Sequence, residues 1–232
     1  MFEVGDVRAG VTGRVAGGGR EYDLTTVDLG VLVVPSGVLG ATDPFVRLDD
    51  PLTTSVPPGS YPVHLTIADV SEALDGSHLR EAYLTLRVAD GIPVRLEVVA
   101  PDGAAPPDDP DAFYGVPVDT ATVAFVDAAA VTSGMPPQDP PGTGGSGWYD
   151  DLFEPDEGGG WFGLMDDPSH LRAGSANIAL PLATNGENVV LTHSGWGDGL
   201  YPLLRTYDEA GVLLEVHVDL MVVPPEGLDL TS

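Results

Sequence analysis

"LYPLLRTYDEAGVLLEVHVDLMVV" (residues 200–223) sets two apolar runs on either side of Asp208, Glu209, Ala210 and Gly211. In the second run Val212, Leu214, Val216, Val218 and Leu220 take every other position, with Leu213, Glu215, His217, Asp219 and Met221 between them. A period of two belongs to a strand, whose successive side chains point to opposite faces. The stretch therefore predicts a β-hairpin.

The same alternation recurs along the chain. "YPVHLTIA" (61–68) sets Tyr61, Val63, Leu65 and Ile67 on one face, and "EAYLTLRVA" (81–89) does so with Ala82, Leu84, Leu86 and Val88. "PVRLEVVA" (93–100) offers Val94, Leu96 and Val98 inward with Arg95 and Glu97 outward, so with the turn residues "DGIP" before it, 81–100 reads as a hairpin. A second hairpin is expected in "VDLGVLVVPSGVLGATDP" (27–44) around Pro35, Ser36 and Gly37. "NIALPLAT" and "NVVLTH" predict a third, around Asn185, Gly186 and Glu187. No ten-residue amphipathic helix stands out. The expectation is a single all-β domain over residues 1–232, an antiparallel β-sandwich or open barrel of at least eight strands.

Three stretches interrupt this rhythm. The Pro/Asp-rich 101–112 and Pro/Gly-rich 133–147 read as loops, and "WYDDLFEPDEGGGWFGLMDDP" (148–168) is an acidic, aromatic insertion with a short helix expected around Trp148 to Glu154. Its acids Asp150, Asp151, Glu154, Asp156, Glu157, Asp166 and Asp167 read as a solvated cluster.

Composition narrows the function classes. The 36 acidic residues against nine basic ones give a formal net charge of −27, and every basic residue is arginine. Without lysine there is no Schiff base, no P-loop lysine and no Ser-Lys dyad, and the negative field disfavours nucleic acid. The same field suits a solvated surface, a basic protein partner steered in by charge, or a cation. There is no cysteine, so thiolate chemistry and disulfides are excluded. The opening residues "MFEVGDVRAG" carry no apolar signal region, and no run approaches the roughly 18 apolar residues of a membrane span. A cytoplasmic protein without membrane contact is expected.

"HSGWGDGLYP" (193–202) is the densest candidate site. It is no phosphate loop, because its flanks read as strands and not as a strand leading into a helix. His193 and Ser194 are neighbours on an extended chain and point apart, which argues against a catalytic dyad. A plain turn would use the glycines for positive φ, Asp198 for local amides and Trp196 as a core cap. Three glycines in five residues exceed what turning requires, and suggest that something approaches the backbone closely.

Two further aspartates, Asp119 and Asp127, bracket the apolar strand of "YGVPVDTATVAFVD" (114–127). At about 3.3 Å per residue they stand roughly 26 Å apart on a straight strand, too far to share one ion. Asp119 can instead meet Asp198 across strands, giving two carboxylates for a hard cation or for acid–base work. Asp43, before Pro44, reads as an Asx turn. His78, His170 and His217 lack zinc-ligand spacing. No cofactor signature is evident; a divalent cation on Asp119 and Asp198 is the one candidate.

Taken in order, "LGVLVVPSGVLGATDP", "PPGSYPVHLTIA", "YGVPVDTATVAFVD" and "SGWGDGLYPLLRTYDEAGVLLEVHVDLMVV" resemble the bacterial family known as domain of unknown function 4241, from about Val27 to Val223. The family's pattern falls here on Asp43, Gly59, Tyr61, Asp119, Asp127, Ser194, Gly195, Trp196, Gly197, Asp198, Gly199, Tyr201 and Asp219. Ala121 stands where the pattern has glycine, and Leu220 where it has an aromatic residue. The resemblance implies a shared polar feature and no activity. The leading expectation is a site for a small polar ligand or hard cation built from Asp119, Asp198, Trp196, Tyr201 and Ser194, with Asp43 and Asp127 as further candidates, and a carboxylate-dependent hydrolase if it is an enzyme. The alternative is an acidic, non-catalytic interaction or immunity-type protein that binds a basic partner.

Overall fold

The computed structural model describes residues 3–105, 107, 109, 112–138 and 147–225. Among these, thirteen strands follow in chain order: β1 (Gly13–Gly17), β2 (Arg20–Val34), β3 (Val38–Thr42), β4 (Leu52–Ser55), β5 (Gly59–Asp69), β6 (Leu79–Arg87), β7 (Arg95–Val98), β8 (Gly115–Val118), β9 (Thr122–Asp127), β10 (Ser175–Ala179), β11 (Asn188–His193), β12 (Gly199–Tyr207) and β13 (Leu213–Asp219). Two short helices, α1 (Ala128–Gly134) and α2 (Trp161–Asp166), and a π-helical turn at Tyr149–Phe153 complete the elements used below.

The strands form two antiparallel sheets that do not close on themselves, so the fold is a sandwich and not a barrel. The larger runs β1-β2-β5-β6-β13-β12-β7, with β8 also paired to β12, and the smaller runs β10-β11-β9-β3-β4. Between them lies one core, in which Val63, Leu65, Leu84, Leu86, Val216 and Val218 of the large sheet meet Leu39, Ala41, Val123, Phe125 and Val190 of the small one. In the large sheet these are the alternate positions that the sequence pattern sets on one face. Burying each such side chain contributes about 1.5–3 kcal/mol.

Two expected hairpins do not form as such. After β2 pairs along β5, the chain crosses at Pro35–Gly37 to β3 in the other sheet. β6 lies between β5 and β13, and β7 pairs with β12. Alternation fixes which face a residue occupies, whereas the partner strand is chosen by contacts distant in sequence. The expected inward set of β7 forms only in part: Leu96 is half-buried and Arg95 exposed, but Val94 and Val98 are exposed, and Val99 turns into the core. The hairpins β10–β11 and β12–β13 form as the sequence predicts.

The insertion has a structural role. Phe153, Trp161 and Met165 join Phe45, Leu48, Val126 and Leu191 in a second core on the outer face of the small sheet. Phe45 stacks on Phe162 at 3.9 Å, and Phe153 packs on Trp161 at 4.9 Å. The seven acids of the insertion remain exposed. Of the two loops, residues 106, 108, 110, 111 and 139–146 lie outside the described residues. Gly134 belongs to α1.

Candidate functional site

Ser194–Asp198 links β11 of the small sheet to β12 of the large one, so it is a crossover between sheets. A second crossover, Asp119–Ala121, runs from β8 to β9 in the opposite sense. Register sets them side by side, with His193 opposite Thr122 and Gly199 opposite Val118. Asp119 and Asp198 therefore stand at the end of the β8–β12 ladder on adjacent chains.

Hydrogen bonds tie the two crossovers together. The Ser194 amide donates to Ala121 O at 3.0 Å, and the Ala121 amide donates to Asp198 Oδ1 at 3.0 Å. Asp43, fully buried just after β3, accepts the amides of Asp119 and Thr120 on Oδ2 at 2.8 Å each. Its Oδ1 accepts the Thr120 hydroxyl at 2.7 Å and the Phe45 amide at 3.1 Å. The last of these is the expected Asx turn. The other three pin the end of β3 to the neighbouring crossover, replacing the water that a buried carboxylate would otherwise require.

Inside the turn the glycines have internal reasons. Gly195 and Gly197 hold φ of 66° and 101°. A Cβ on Gly195 would lie 2.6 Å from Glu81 O and 2.7 Å from Val222 Cγ2, so the close approach is made by the protein's own β6 and the segment after β13. The buried Ser194 and Tyr201 hydroxyls both donate to Gly197 O, at 2.6 and 2.7 Å. Burial raises the Tyr201 phenol above its ordinary range.

What the turn presents outward is Trp196, 55% exposed, with Asp198, Asp119 and His193 also exposed. Trp196 is thus not a core cap. The Arg80 guanidinium lies 5.3 Å from the centre of the indole, and the His78 ring meets its edge at 6.3 Å. Arg80 comes from the start of β6 and His78 from just before it, more than a hundred residues away in sequence. No local pattern in the sequence marks that pairing. His193 points out and Ser194 in, as their adjacency on a strand requires.

Asp127 belongs elsewhere. It sits at the far end of the six-residue β9, roughly 17 Å along the strand from Thr122, caps α1 through the Ala130 amide, and accepts the Ser36 amide and hydroxyl at 2.8 and 2.7 Å. It pins the Pro35–Gly37 crossover as Asp43 pins the other end. The cluster therefore gathers Asp43, Asp119, Ser194, Trp196, Asp198 and Tyr201, and leaves Asp127 out.

Among the described residues no group of three or more His, Asp or Glu side chains comes together to hold a metal ion. A cleft of about 390 Å³ is lined by Arg20, Glu21, Val70, Ser71, Glu72 and Leu74, and one of about 160 Å³ by residues that include Phe45, Trp148 and Tyr149. Neither includes a residue of the 193–202 turn.

Buried titratable groups also lie on β13. Burial pushes the Asp219 carboxyl up to about 7 and holds the His217 imidazole down to about 3. The Met221 amide donates to Asp219, and Thr85 Oγ1 pairs with His217 Nδ1 at 3.0 Å. Glu187 is held down to about 2 by donors from the side chain and backbone of Asn185.

Residues 32–218 match the family described as "Protein of unknown function (DUF4241)". The chain belongs to this family. The DUF4241 match runs from within β2 to within β13 and contains both stitched crossovers. No curated protein and no solved structure matches the chain. No helix among the described residues is long and apolar enough to cross a membrane.

Proposed function

We propose that the Ser194–Asp198 turn of this DUF4241 protein is a binding platform for a small polar ligand with one flat apolar face. Trp196 is the stacking surface, and the exposed carboxylates of Asp198 and Asp119 accept hydrogen bonds from the ligand's rim. Ser194, Tyr201 and Asp43 act as positioning residues, since their polar atoms are committed to the backbone of the two crossovers. The observation that carries this reading is the half-exposed indole on a clamped backbone. A large aromatic surface left in water loses the stabilisation that covering it would supply, and a rigid aromatic is ordered at little further entropic cost on binding.

A hard cation is the weaker ligand for this site. Calcium takes about six to eight oxygens, whereas only two exposed carboxylates stand here and Asp198 Oδ1 already accepts an amide. A carboxylate-dependent hydrolase would rest on the same two aspartates, because the oxygens of Asp43 and Asp127 are occupied. A screen for thermal stabilisation, with a small-molecule panel and separately with calcium, magnesium and manganese, compares wild type with Trp196→Ala and Asp198→Ala. Organic ligands that stabilise wild type and not Trp196→Ala support the platform. Stabilisation by a metal ion alone, abolished in Asp198→Ala, overturns it.

The net charge of −27 favours one further reading, a basic protein docked on the acidic surface. That association would slow steeply with added salt.

A further inference from the structure

Arginine is the protein's only strong cation, and among the described residues its use is nearly uniform. Arg14, Arg47, Arg87, Arg95, Arg172 and Arg205 pair with carboxylates. Arg8 and Arg20 donate to backbone carbonyls. Arg80 does neither: its guanidinium lies over the Trp196 ring, and its Nε, like those of Arg47 and Arg205, is buried without an acceptor.

In a chain with four acids for each base, a guanidinium without a carboxylate needs a local cause. Its neighbour Glu81 is turned to Arg172 at 3.2 Å. Asp69, across the ladder near the start of β6, gives its oxygens to the Ser71 and Gly76 amides. Both carboxylates are already engaged, and among the described residues no carboxylate pairs with Arg80. A guanidinium lying on an aromatic face keeps its in-plane N–H groups directed outward past the ring, where a flat or tetrahedral oxyanion can take two of them. His78, two residues earlier and just before β6, sets its ring edge-on to the indole at 6.3 Å.

Building on the platform reading, we infer that the ligand carries an anion, a phosphate or carboxylate attached to the ring that stacks on Trp196, and that Arg80 is the residue that receives it. The ligand then places its anion at Arg80 and its hydroxyl or amine donors towards Asp198 and Asp119. The bound anion would give the terminal N–H groups of Arg80 the charged acceptor that the carboxylates of Glu81 and Asp69, engaged elsewhere, do not.

The test uses the full chain and three probe sets: adenosine with AMP, phenol with phenyl phosphate and benzoate, and glucose with glucose 6-phosphate. The readout is the ¹H–¹⁵N signal of the Trp196 indole, assigned by its loss in Trp196→Phe. At least one anionic probe should shift that signal and bind about 10- to 100-fold more tightly than its neutral counterpart, the gain expected of hydrogen bonds to a charged group. Phosphate and carboxylate arms decide between the two oxyanions. Arg80→Gln should abolish the preference while keeping the neutral probe's affinity, and Arg80→Lys should keep part of it. Neutral and anionic probes binding wild type equally, or Arg80→Gln keeping the preference, overturns the inference and leaves the platform standing. If no probe, neutral or anionic, moves the Trp196 signal, the platform reading falls as well. The wild-type comparison does not depend on any variant folding.

Discussion

The Asp198 carboxylate accepts the amide of Ala121 at 3.0 Å, and Ala121 is held there at φ 52°, in the left-handed region. An L-residue with a Cβ resists that conformation by roughly 1–2 kcal/mol, and only a bond that needs this backbone direction offsets the strain. Glycine reaches this region without that cost. Ala121→Gly should therefore stabilise the protein or leave it level, by up to about 1 kcal/mol once the greater freedom of unfolded glycine is deducted. Asp198→Ala should destabilise it by about 0.5–1.5 kcal/mol, the worth of one exposed hydrogen bond. Urea midpoints measure both, and a clearly destabilised Ala121→Gly would contradict the strain.

The two aspartates on either side of the second crossover should separate sharply under mutation. Asp43 is fully buried and accepts four hydrogen bonds, three of them from Thr120 and Asp119. Asp43→Ala leaves the buried Phe45 amide and the part-buried Asp119 and Thr120 amides without their acceptor and should cost about 3–5 kcal/mol. Asp119 is exposed and contributes its amide rather than its carboxylate to the clasp. Asp119→Ala should lie within about 0.5 kcal/mol of wild type in stability, and should lower ligand affinity if the platform reading holds. Equal losses of stability would show that the carboxylate of Asp119 has a structural partner.

The contrast between these aspartates also marks how far the sequence was legible. Faces were readable, because Val63, Leu65, Leu84, Val216 and Val218 repeat at the period of a strand and are all buried. Hairpins closed by short polar turns, such as β12–β13, were readable too. Partners were not: Pro35-Ser36-Gly37 has the chemistry of a tight turn, yet the ladder is set by the long β2–β5 pairing and the chain crosses sheets. The site was half legible. Its glycine load signalled close approach, but the approaching atoms belong to Glu81 and Val222. Asp43 meets amides 76 and 77 residues away, and Arg80 meets Trp196 from another strand, so neither relation leaves a local trace.

Acid and base should pull the stability of β13 in opposite directions. The Asp219 carboxyl, raised to about 7, lies above the roughly 3.9 of an unfolded aspartate, so the folded protein holds a proton that the unfolded chain releases. Its contribution is fully present below about pH 4 and is lost as pH rises through about 7. His217, lowered to about 3 against about 6.5 unfolded, runs the other way. Its contribution is present above about pH 6.5 and is lost as pH falls towards 3. Each uncompensated proton is worth about 1.4 kcal/mol per pH unit, so between about pH 4 and 6.5 the two slopes oppose. Relative to wild type, Asp219→Asn should gain stability as pH rises from 4 to 7, and His217→Gln should gain as pH falls from 6.5 to 4. Guanidinium unfolding at several pH values reads both slopes. A difference curve for Asp219→Asn that stays flat would remove the proton from Asp219.

The remaining prediction separates backbone conformation from close contact within the turn. Gly197 needs a positive φ of 101°, but its nearest neighbour for an added Cβ is Ala121 Cβ at 4.0 Å, so Gly197→Ala meets strain without collision. That should cost about 1–3 kcal/mol. Gly195 combines φ 66° with Glu81 O at 2.6 Å and Val222 Cγ2 at 2.7 Å, and the carbonyl belongs to a strand held on both sides, where it cannot yield. Gly195→Ala should cost more, about 3 kcal/mol or above, and should also push the turn off β6. Because Arg80 is on β6, that displacement separates the indole from its cation, and the Trp196 signal in the free protein should move in Gly195→Ala more than in Gly197→Ala. Equal losses of stability with an unmoved Trp196 signal would mean that the turn is not clamped against β6, and the rigid platform on which the binding proposal depends would be gone.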